Sequence, residues 1–305
     1  MSVKIKFNNP FSTKGNWYKG NTHTHTTNSD GELSPKDVIS LYREKRYVFL
    51  AITDHNKLTY SEELQKEGLY LIPGEEIDGG KSVIGASFHI VALNIKKEIL
   101  FANKEKITAQ EIIDRIKEEG GEAIIAHPYW LGLTLQDILP LKNYLGIEVF
   151  NSTCFYGTGR GESSVHWDDL LTRDKEIFGF AVDDAHHYSD IKYRPMDMRK
   201  GWIMVKALNK EMIMDSIKKG LFYSSSGPMI KNLSIEEKII KVETSPVSSI
   251  TFLASPAKGK RITALSTIEQ AEYEIKGNEK YIRIECVDTV GRKAWTNPLF
   301  IRNKS

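Results

Sequence analysis

Between residues 16 and 222 short apolar runs alternate with amphipathic ones. Runs rich in β-branched and aromatic residues lie at 17–25, 47–53, 70–73, 89–93, 122–126, 146–150, 177–182 and 202–205, the pattern of buried strands. Between them the period turns helical. Ser34 before Pro35, Lys36 and Asp37 reads as an N-cap with proline at the first helical position, and predicts a helix to about Lys45. Thr108 with Glu111 forms a capping-box pattern and predicts a helix over 108–119, stopped by Gly120 and Gly121. Weaker helical patterns cover 135–142, 167–173 and 210–219. Strands alternating with helices predict a parallel sheet covered by helices, as a barrel or an open α/β sheet.

Past residue 222 the texture changes. Ser-Ser-Ser-Gly-Pro at 224–228 is turn-like, and alternating runs follow at 239–243, 249–253, 271–275, 281–287 and 299–301 with no helical pattern. The expected organisation is therefore a barrel-type unit over 1–222 and a small antiparallel β module over 223–305. No internal repeat or low-complexity tract appears.

Composition narrows this picture. The 305 residues suit one barrel of about 200–250 residues plus an appendage. The chain is 40% hydrophobic, and 42 Lys+Arg nearly balance 40 Asp+Glu, for a net charge of +2. Such balance argues against a dedicated nucleic-acid binder while leaving room for a nucleotide-sized substrate. No apolar run approaches the ~20 residues of a membrane span, and the first ten residues lack the apolar core of a signal peptide. Cys154 and Cys286 stand far apart, so neither a disulfide framework nor a Cys-x-x-Cys knuckle is expected. A reducing cytoplasm is the expected location.

The eight histidines carry the chemistry. His23 and His25 are two apart on a predicted strand, so both face one side. His55 ends an apolar run through Thr53 and Asp54. His127 follows Ala126 and precedes Pro128, and His186 follows Asp183, Asp184 and Ala185. Glu75 and Glu76 follow Pro73 and Gly74, and His89 enters Ile-Val-Ala-Leu. Any one of these is ordinary as a cap or a core histidine. Together they place imidazoles and carboxylates at the tips of several strands, where α/β folds gather their active sites. His166 and His187 are expected at the surface, with His187 near enough to approach a substrate.

Six imidazoles and several carboxylates exceed the four ligands of one zinc ion. Two or three ions fit the supply better, and nitrogen with oxygen donors suits zinc, manganese or iron. Ions about 3.5–4 Å apart hold a bridging hydroxide and stabilise charge on attacking and leaving oxygens, which is the chemistry of hydrolysis. No phosphate-binding P-loop, Gly-x-Ser-x-Gly elbow or dinucleotide fingerprint competes. The glycine-rich stretch 157–161 reads as a mobile loop near the site. Its Arg160 could clamp an anion or simply be solvated.

These residues resemble the polymerase-and-histidinol-phosphatase (PHP) family of metallohydrolases. The matching pieces are His-Thr-His at 23–25, Ser-Asp-Gly at 29–31, Thr-Asp-His at 53–55, Pro-Gly-Glu-Glu at 73–76, His89 before Ile-Val-Ala-Leu, Ala-His-Pro at 126–128 and Asp-Ala-His at 184–186. They cover roughly residues 16–190. The resemblance implies a distorted (β/α)7 barrel with a metal cluster at the strand C-termini. It implies that His23, His25, Glu76 and Asp184 hold one ion, and that Glu76 bridges to a second held by His89 and His127. Asp30, His55 and His186 would hold a third, although Asp30 stands where some members carry histidine. The family pattern selects Glu76 over Glu75 and Asp184 over Asp183. Asp54 and Glu148 are expected to orient ligands from behind. His23, His25, Glu76, His127, Asp184 and His186 are the expected catalytic set.

A second likeness lies in the tail. Gly201-Trp202, the stretch 220–228 and the stretch 288–298, together with 167–171 and 183–186, are similar to the CehA/McbA-like branch of that family. Trp295 and Pro298 also suit simple packing of the β module. The resemblance implies a phosphoesterase acting on a small phosphate ester or nucleotide through a metal-bridged hydroxide. Hydrolysis of carbamate, ester or amide bonds is the alternative, and a non-catalytic scaffold a third. Arg160, His187 and Tyr129 are candidates for substrate contact. Inward-facing Arg160 or Arg194 would favour a phosphate, and an aromatic pocket with Trp130 and Phe155 a carbonyl substrate. A small-molecule substrate is the expected partner, with neither membrane nor strong nucleic-acid binding.

Overall fold

The computed structural model of the chain describes residues 3–103, 106–190 and 195–303. The chain folds into two compact units. One comprises Tyr18–Trp167 and Phe180–Ile203, the other Met1–Trp17, Asp168–Gly179 and Met204–Ser305. The chain thus passes between units several times, whereas the sequence pattern suggests one cut after residue 222. Among the described residues no helix is long and apolar enough to cross a membrane.

The larger unit is mixed α/β. Gly20 and Asn21 pair in parallel with Phe49 and Leu50, which pair in parallel with Tyr70 and Leu71. A five-stranded sheet runs in the order Gly74–Lys81, Ser87–Leu93, Glu122–Ile125, Gly146–Asn151, Phe178–Val182. The expected all-parallel sheet does not hold here. Gly74–Lys81 and Ser87–Leu93 are antiparallel, and so are Ser87–Leu93 and Glu122–Ile125. The reason for the first pairing is the short connection over 82–86, closed by Ser82 N donating to Ala86 O at 2.9 Å. A link this short only makes a hairpin, whereas a parallel return needs a dozen residues or more. The strand Gly74–Lys81 has no counterpart among the predicted strands, since Gly-Glu-Glu-Ile-Asp-Gly-Gly-Lys is poor in strand-favouring residues. Isolated parallel bridges Thr24–Ala185 and His55–Glu76 join the two sets of strands, the second at the start of Gly74–Lys81.

Two helices form as their sequences predict. Ser34 accepts from Asp37 N, and Pro35–Glu44 buries Val38, Ile39 and Tyr42. Thr108 and Glu111 make the capping box, and Ala109–Glu118 buries Ile112, Ile113 and Ile116. The expected helix 135–142 is cut to Leu135–Ile138, because Pro140 lacks the N–H a further turn needs. The stretch 157–161 does not begin as a loop. Ser152–Thr158 is helical, capped by Asn151 accepting from Cys154 N and ended by Gly159 at φ 73°.

The smaller unit is antiparallel β apart from its short helical segments. Val3–Lys6 pairs with Leu299–Asn303, and Tyr281–Val287 pairs with Leu299–Asn303, Lys293–Thr296 and Ile239–Ser255. Ile239–Ser255 also pairs with Ile230–Glu236 and Lys258–Glu274. Its core includes Ile240, Val242, Ile250, Phe252, Ile282 and Ile284. Arg283 is fully buried there, its Nε and Nη2 donating to Asp168 at 2.7 and 2.6 Å. A buried guanidinium demands such a bidentate partner.

Candidate metal centre

Strand alternation builds the floor of the site. Past the strand Asn16–Asn21, His23 and His25 face one side, while the Thr24 hydroxyl between them donates to Ala51 O at 2.9 Å. The other candidates arrive at neighbouring strand tips, and they converge in three overlapping groups. Each group offers ligand atoms all within 4.8 Å of one another.

The first is His23, His25, Glu76 and Asp184. Nε2 of His23 lies 3.1 Å from Nε2 of His25, 3.2 Å from Glu76 Oε2 and 3.2 Å from Asp184 Oδ1. Nε2 of His25 lies 3.0 Å from Asp184 Oδ1. The second is His25, Asp30, His55 and His186. Asp30 Oδ1 lies 3.4 Å from His25 Nδ1 and 3.3 Å from His186 Nε2, and Asp30 Oδ2 lies 3.7 Å from His55 Nε2. The third is His55, Glu76, Asp78 and His89. Glu76 Oε1 is 3.0 Å from His89 Nδ1, and Asp78 Oδ1 is 3.0 Å from His55 Nδ1. His127 Nε2 also reaches Glu76 Oε1, at 3.2 Å, but His127 lies outside the three groups. The carboxylate of Glu76 therefore touches two groups, and His25 presents one nitrogen to each of two.

The donor set fits divalent metal. Imidazole nitrogens and carboxylate oxygens converge in a space the protein does not otherwise fill. Buried Asp184 Oδ1 faces His25 Nε2 at 3.0 Å and His23 Nε2 at 3.2 Å, a packing of ligand-type atoms that is costly unless a cation or protons sit among them. Asp184 and His127 both hold positive φ, 52° and 27°, a conformation rare outside glycine and asparagine that concentrates at functional sites.

Residues behind the candidate ligands fix their orientation. Glu148, buried, accepts from His23 Nδ1 at 2.6 Å, from His127 N at 2.8 Å and from Asn151 Nδ2 at 2.8 Å. Asn151 also donates to Asp184 Oδ2 at 3.0 Å. Asp54 accepts from Thr26 N, Thr26 Oγ1, Ser29 Oγ and Thr59 Oγ1, which holds the turn that carries Asp30. The other acid of each adjacent pair serves the scaffold. Glu75 accepts from Ile99 N at 2.8 Å. Asp183 accepts from the backbone of Arg199, Lys200 and Gly201 and from Tyr42 Oη. Asp78 and Asn151 escaped sequence reasoning. The spacing Glu76–Asp78 is a signal for the first, since residues two apart on a strand share a face. For Asn151 no local signal exists.

Without metal the cluster is a set of ion pairs. Burial alone lowers an imidazole pKa, but the carboxylates outweigh it. Against that burial, Asp78, Glu76 and Asp30 raise His55 to about 9, and Asp30 and Asp184 raise His186 to about 9. Burial would raise the Asp184 carboxyl, but His23, His25 and His186 hold it well below the usual carboxylate range.

The groups open into a cavity of about 450 Å³, whose other walls include Trp130, Thr153, Cys154, Thr158 and His187. His187 Nδ1 lies 2.6 Å from Glu32 Oε1. Arg160 and Tyr129 are not among the lining residues. The Arg160 guanidinium lies over the Tyr129 ring, 5.7 Å from its centroid. Phe155 is exposed and packs against Tyr156, away from the lining. His166 is bound to Leu133 O at 2.9 Å. Arg194 falls outside the described residues.

No known protein-family model matches the chain. It is 30% identical over 144 residues to uncharacterized protein MJ0417 of Methanocaldococcus jannaschii, a match covering 45% of this chain and 54% of the relative. It is 28% identical over 149 residues to uncharacterized protein MJ1587 of the same organism, covering 44% and 82%. The match to the 5'-3' exoribonuclease Rnm of Salmonella typhimurium is 42% over 81 residues, covering 24% of this chain and 26% of that protein. The chain thus spans about half of the first relative and about a quarter of the exoribonuclease. Among solved structures it resembles a two-domain Bacteroides vulgatus protein described as containing a predicted PHP-like metal-dependent phosphoesterase, with TM-score 0.48, 14% identity and 94% of each chain covered. It also resembles an amidohydrolase from Chromobacterium violaceum, with TM-score 0.42, 16% identity, and 55% of this chain and 87% of that one covered.

Proposed function

We propose that the chain is a metal-dependent hydrolase of phosphate esters, with a small phosphate ester or a nucleotide as substrate. One observation carries this reading. Three groups of ligand atoms share His25, His55 and Glu76, so the ions they hold would lie side by side at the floor of one cavity. Two or three divalent ions, zinc, manganese or iron, suit this donor set. When bound, such ions supply a nucleophile from water at neutral pH and neutralise charge on phosphoryl oxygens.

The chain's own residues hold and orient. His23, His25, Glu76 and Asp184 make the deepest site; His25, Asp30, His55 and His186 make a second; Glu76, His89 and His127, with Asp78, make a third. Glu148 and Asn151 lock His23 and Asp184 from behind. The bond from His187 Nδ1 to Glu32 leaves Nε2 of His187 to a substrate oxygen at the cavity wall. Tyr129 and Arg160 remain candidates for contact further out. The exoribonuclease match supports a phosphoester, because the name of that protein states hydrolysis of one. The bridges at 24–185 and 55–76 support a distorted (β/α)7 barrel of PHP type, and the motifs at 201–202, 220–228 and 288–298 support its CehA/McbA-like branch. A cytoplasmic location fits the cysteine usage.

A second reading, hydrolysis of carbamate, ester or amide bonds, has its own support. Among the described residues no Lys or Arg lines the cavity, and Trp130 does.

Metal analysis of the purified chain, reconstituted with zinc, manganese or iron, should find at least two ions per chain. A panel of phosphomonoesters, phosphodiesters and carbamates then decides between the readings. His25→Ala, which removes a donor from two groups, should abolish turnover with the fold intact. A chain that stays metal-free, or a His25→Ala variant that keeps its activity, overturns the proposal.

A further inference from the structure

The strand Lys258–Glu274 is the outermost of its sheet. It pairs with Ile239–Ser255 along one edge, and among the described residues no strand pairs with the other. At 17 residues the open edge runs about 56 Å. Open edges of this length invite another strand.

The edge has a marked polarity. Lys258, Lys260 and Arg261 stand at its start, and Glu269, Glu272 and Glu274 at its end, with no charge over 262–268. All six charged residues are exposed. A strand charged oppositely at its two ends complements itself when turned end over end. Antiparallel pairing about a two-fold axis sets the basic end of each copy against the acidic end of the other, and parallel pairing sets like against like. Glu269 and Glu274 each meet a lysine of their own chain, Lys231 and Lys276, at 2.7 Å. Exposed pairs of that kind hold weakly. No ion pair engages Lys258, Lys260 or Arg261 among the described residues.

The register against Ile239–Ser255 is regular over 258–263 and again over 270–274, and it shifts between them. Leu265 stands fully exposed in that shift. An irregularity usually guards an edge. Here it sits at the strand's centre, so a two-fold axis there sets one irregularity beside the other. Both regular runs are then free to pair, and the two Leu265 side chains meet near the axis.

We propose that a second copy of this chain docks antiparallel along 258–274, giving an isologous dimer with one continuous sheet. The test is sedimentation velocity on the full chain over a concentration series. A dimer is expected, and Lys260→Glu with Arg261→Glu should weaken it at least about tenfold, as should Glu272→Lys with Glu274→Lys. An equimolar mixture of those two double variants should dimerise again, because their charges are complementary. Wild-type hydrogen exchange guards against misfolded variants: amides of 258–274 should gain protection as concentration rises. A chain monomeric at the highest concentrations overturns the proposal. So does a dimer indifferent to both charge reversals, or one whose exchange at 258–274 does not depend on concentration.

Discussion

Glu148 Oε1 lies 2.6 Å from Nδ1 of His23, and both side chains are sealed from solvent. That contact sets the imidazole tautomer. With Nδ1–H donated to Glu148, Nε2 is the nitrogen left to face His25, Glu76 and Asp184, and the one a metal ion would meet. Carboxylates behind metal-binding histidines commonly act so, and their loss costs about 10–100-fold in metal affinity. Glu148→Ala should therefore weaken metal binding by about that factor, read by calorimetric titration of the metal-free protein. Unchanged affinity would show that His23 needs no such brace.

Asp78 bears on a second of the three groups. It lies 3.0 Å from His55 Nδ1 and 3.6 Å from His89 Nε2, and Asn56 Nδ2 donates to its other oxygen at 2.8 Å. Asp78→Ala should loosen one ion by about 10–100-fold and leave the site of His23, His25, Glu76 and Asp184 filled. Metal content after dialysis against a weak chelator would fall by about one ion per chain. Full retention would remove Asp78 from the centre.

Metal uptake should depend on pH in a defined direction. In the metal-free protein His55 and His186 titrate near 9, so at neutral pH each holds a proton that metal must displace. Affinity should rise as pH climbs through about 9, with protons released on binding. His23, which against its burial Asp184, Glu76 and Glu148 raise well above its ordinary value, adds to that rise. Calorimetry at pH 7 in buffers of different ionisation enthalpy counts those protons. A count near zero would contradict the charge state described.

A stability effect is expected in the smaller unit. Glu279 is buried and accepts from Tyr273 Oη at 2.9 Å, Lys276 N at 2.8 Å and Gly277 N at 2.8 Å. Burial would raise its carboxyl, but these donors hold it below the ordinary value. A lowered folded pKa stabilises above the unfolded pKa of about 4.3 and loses that contribution as pH falls through the folded one. Glu279→Gln should cost about 1–3 kcal/mol near neutral pH. The gap from wild type should close as pH falls through the acid range, as followed by denaturant unfolding. A gap constant with pH would mean the charge plays no part.

Much of this protein is local and could be read as a string. The caps at Ser34 and Thr108, the β texture after 222 and the imidazoles at strand tips all depend on residues within a few positions of one another. Their propensities, hydrogen bonds and two-residue alternation are settled at that range. Other features were decided by contacts that close only on folding. The partner of His23 is 125 residues away. The hairpin through 82–86 turned an expected parallel strand antiparallel and placed Asp78 opposite His89. Glu75 and Asp183 are chemically equal to Glu76 and Asp184. Their neighbours on the folded backbone send one of each pair to anchor main-chain amides and the other to the centre, because strand alternation and the positive φ of Asp184 set which way each carboxylate points. Residue type supplied the candidate ligands, and tertiary register chose which of them converge.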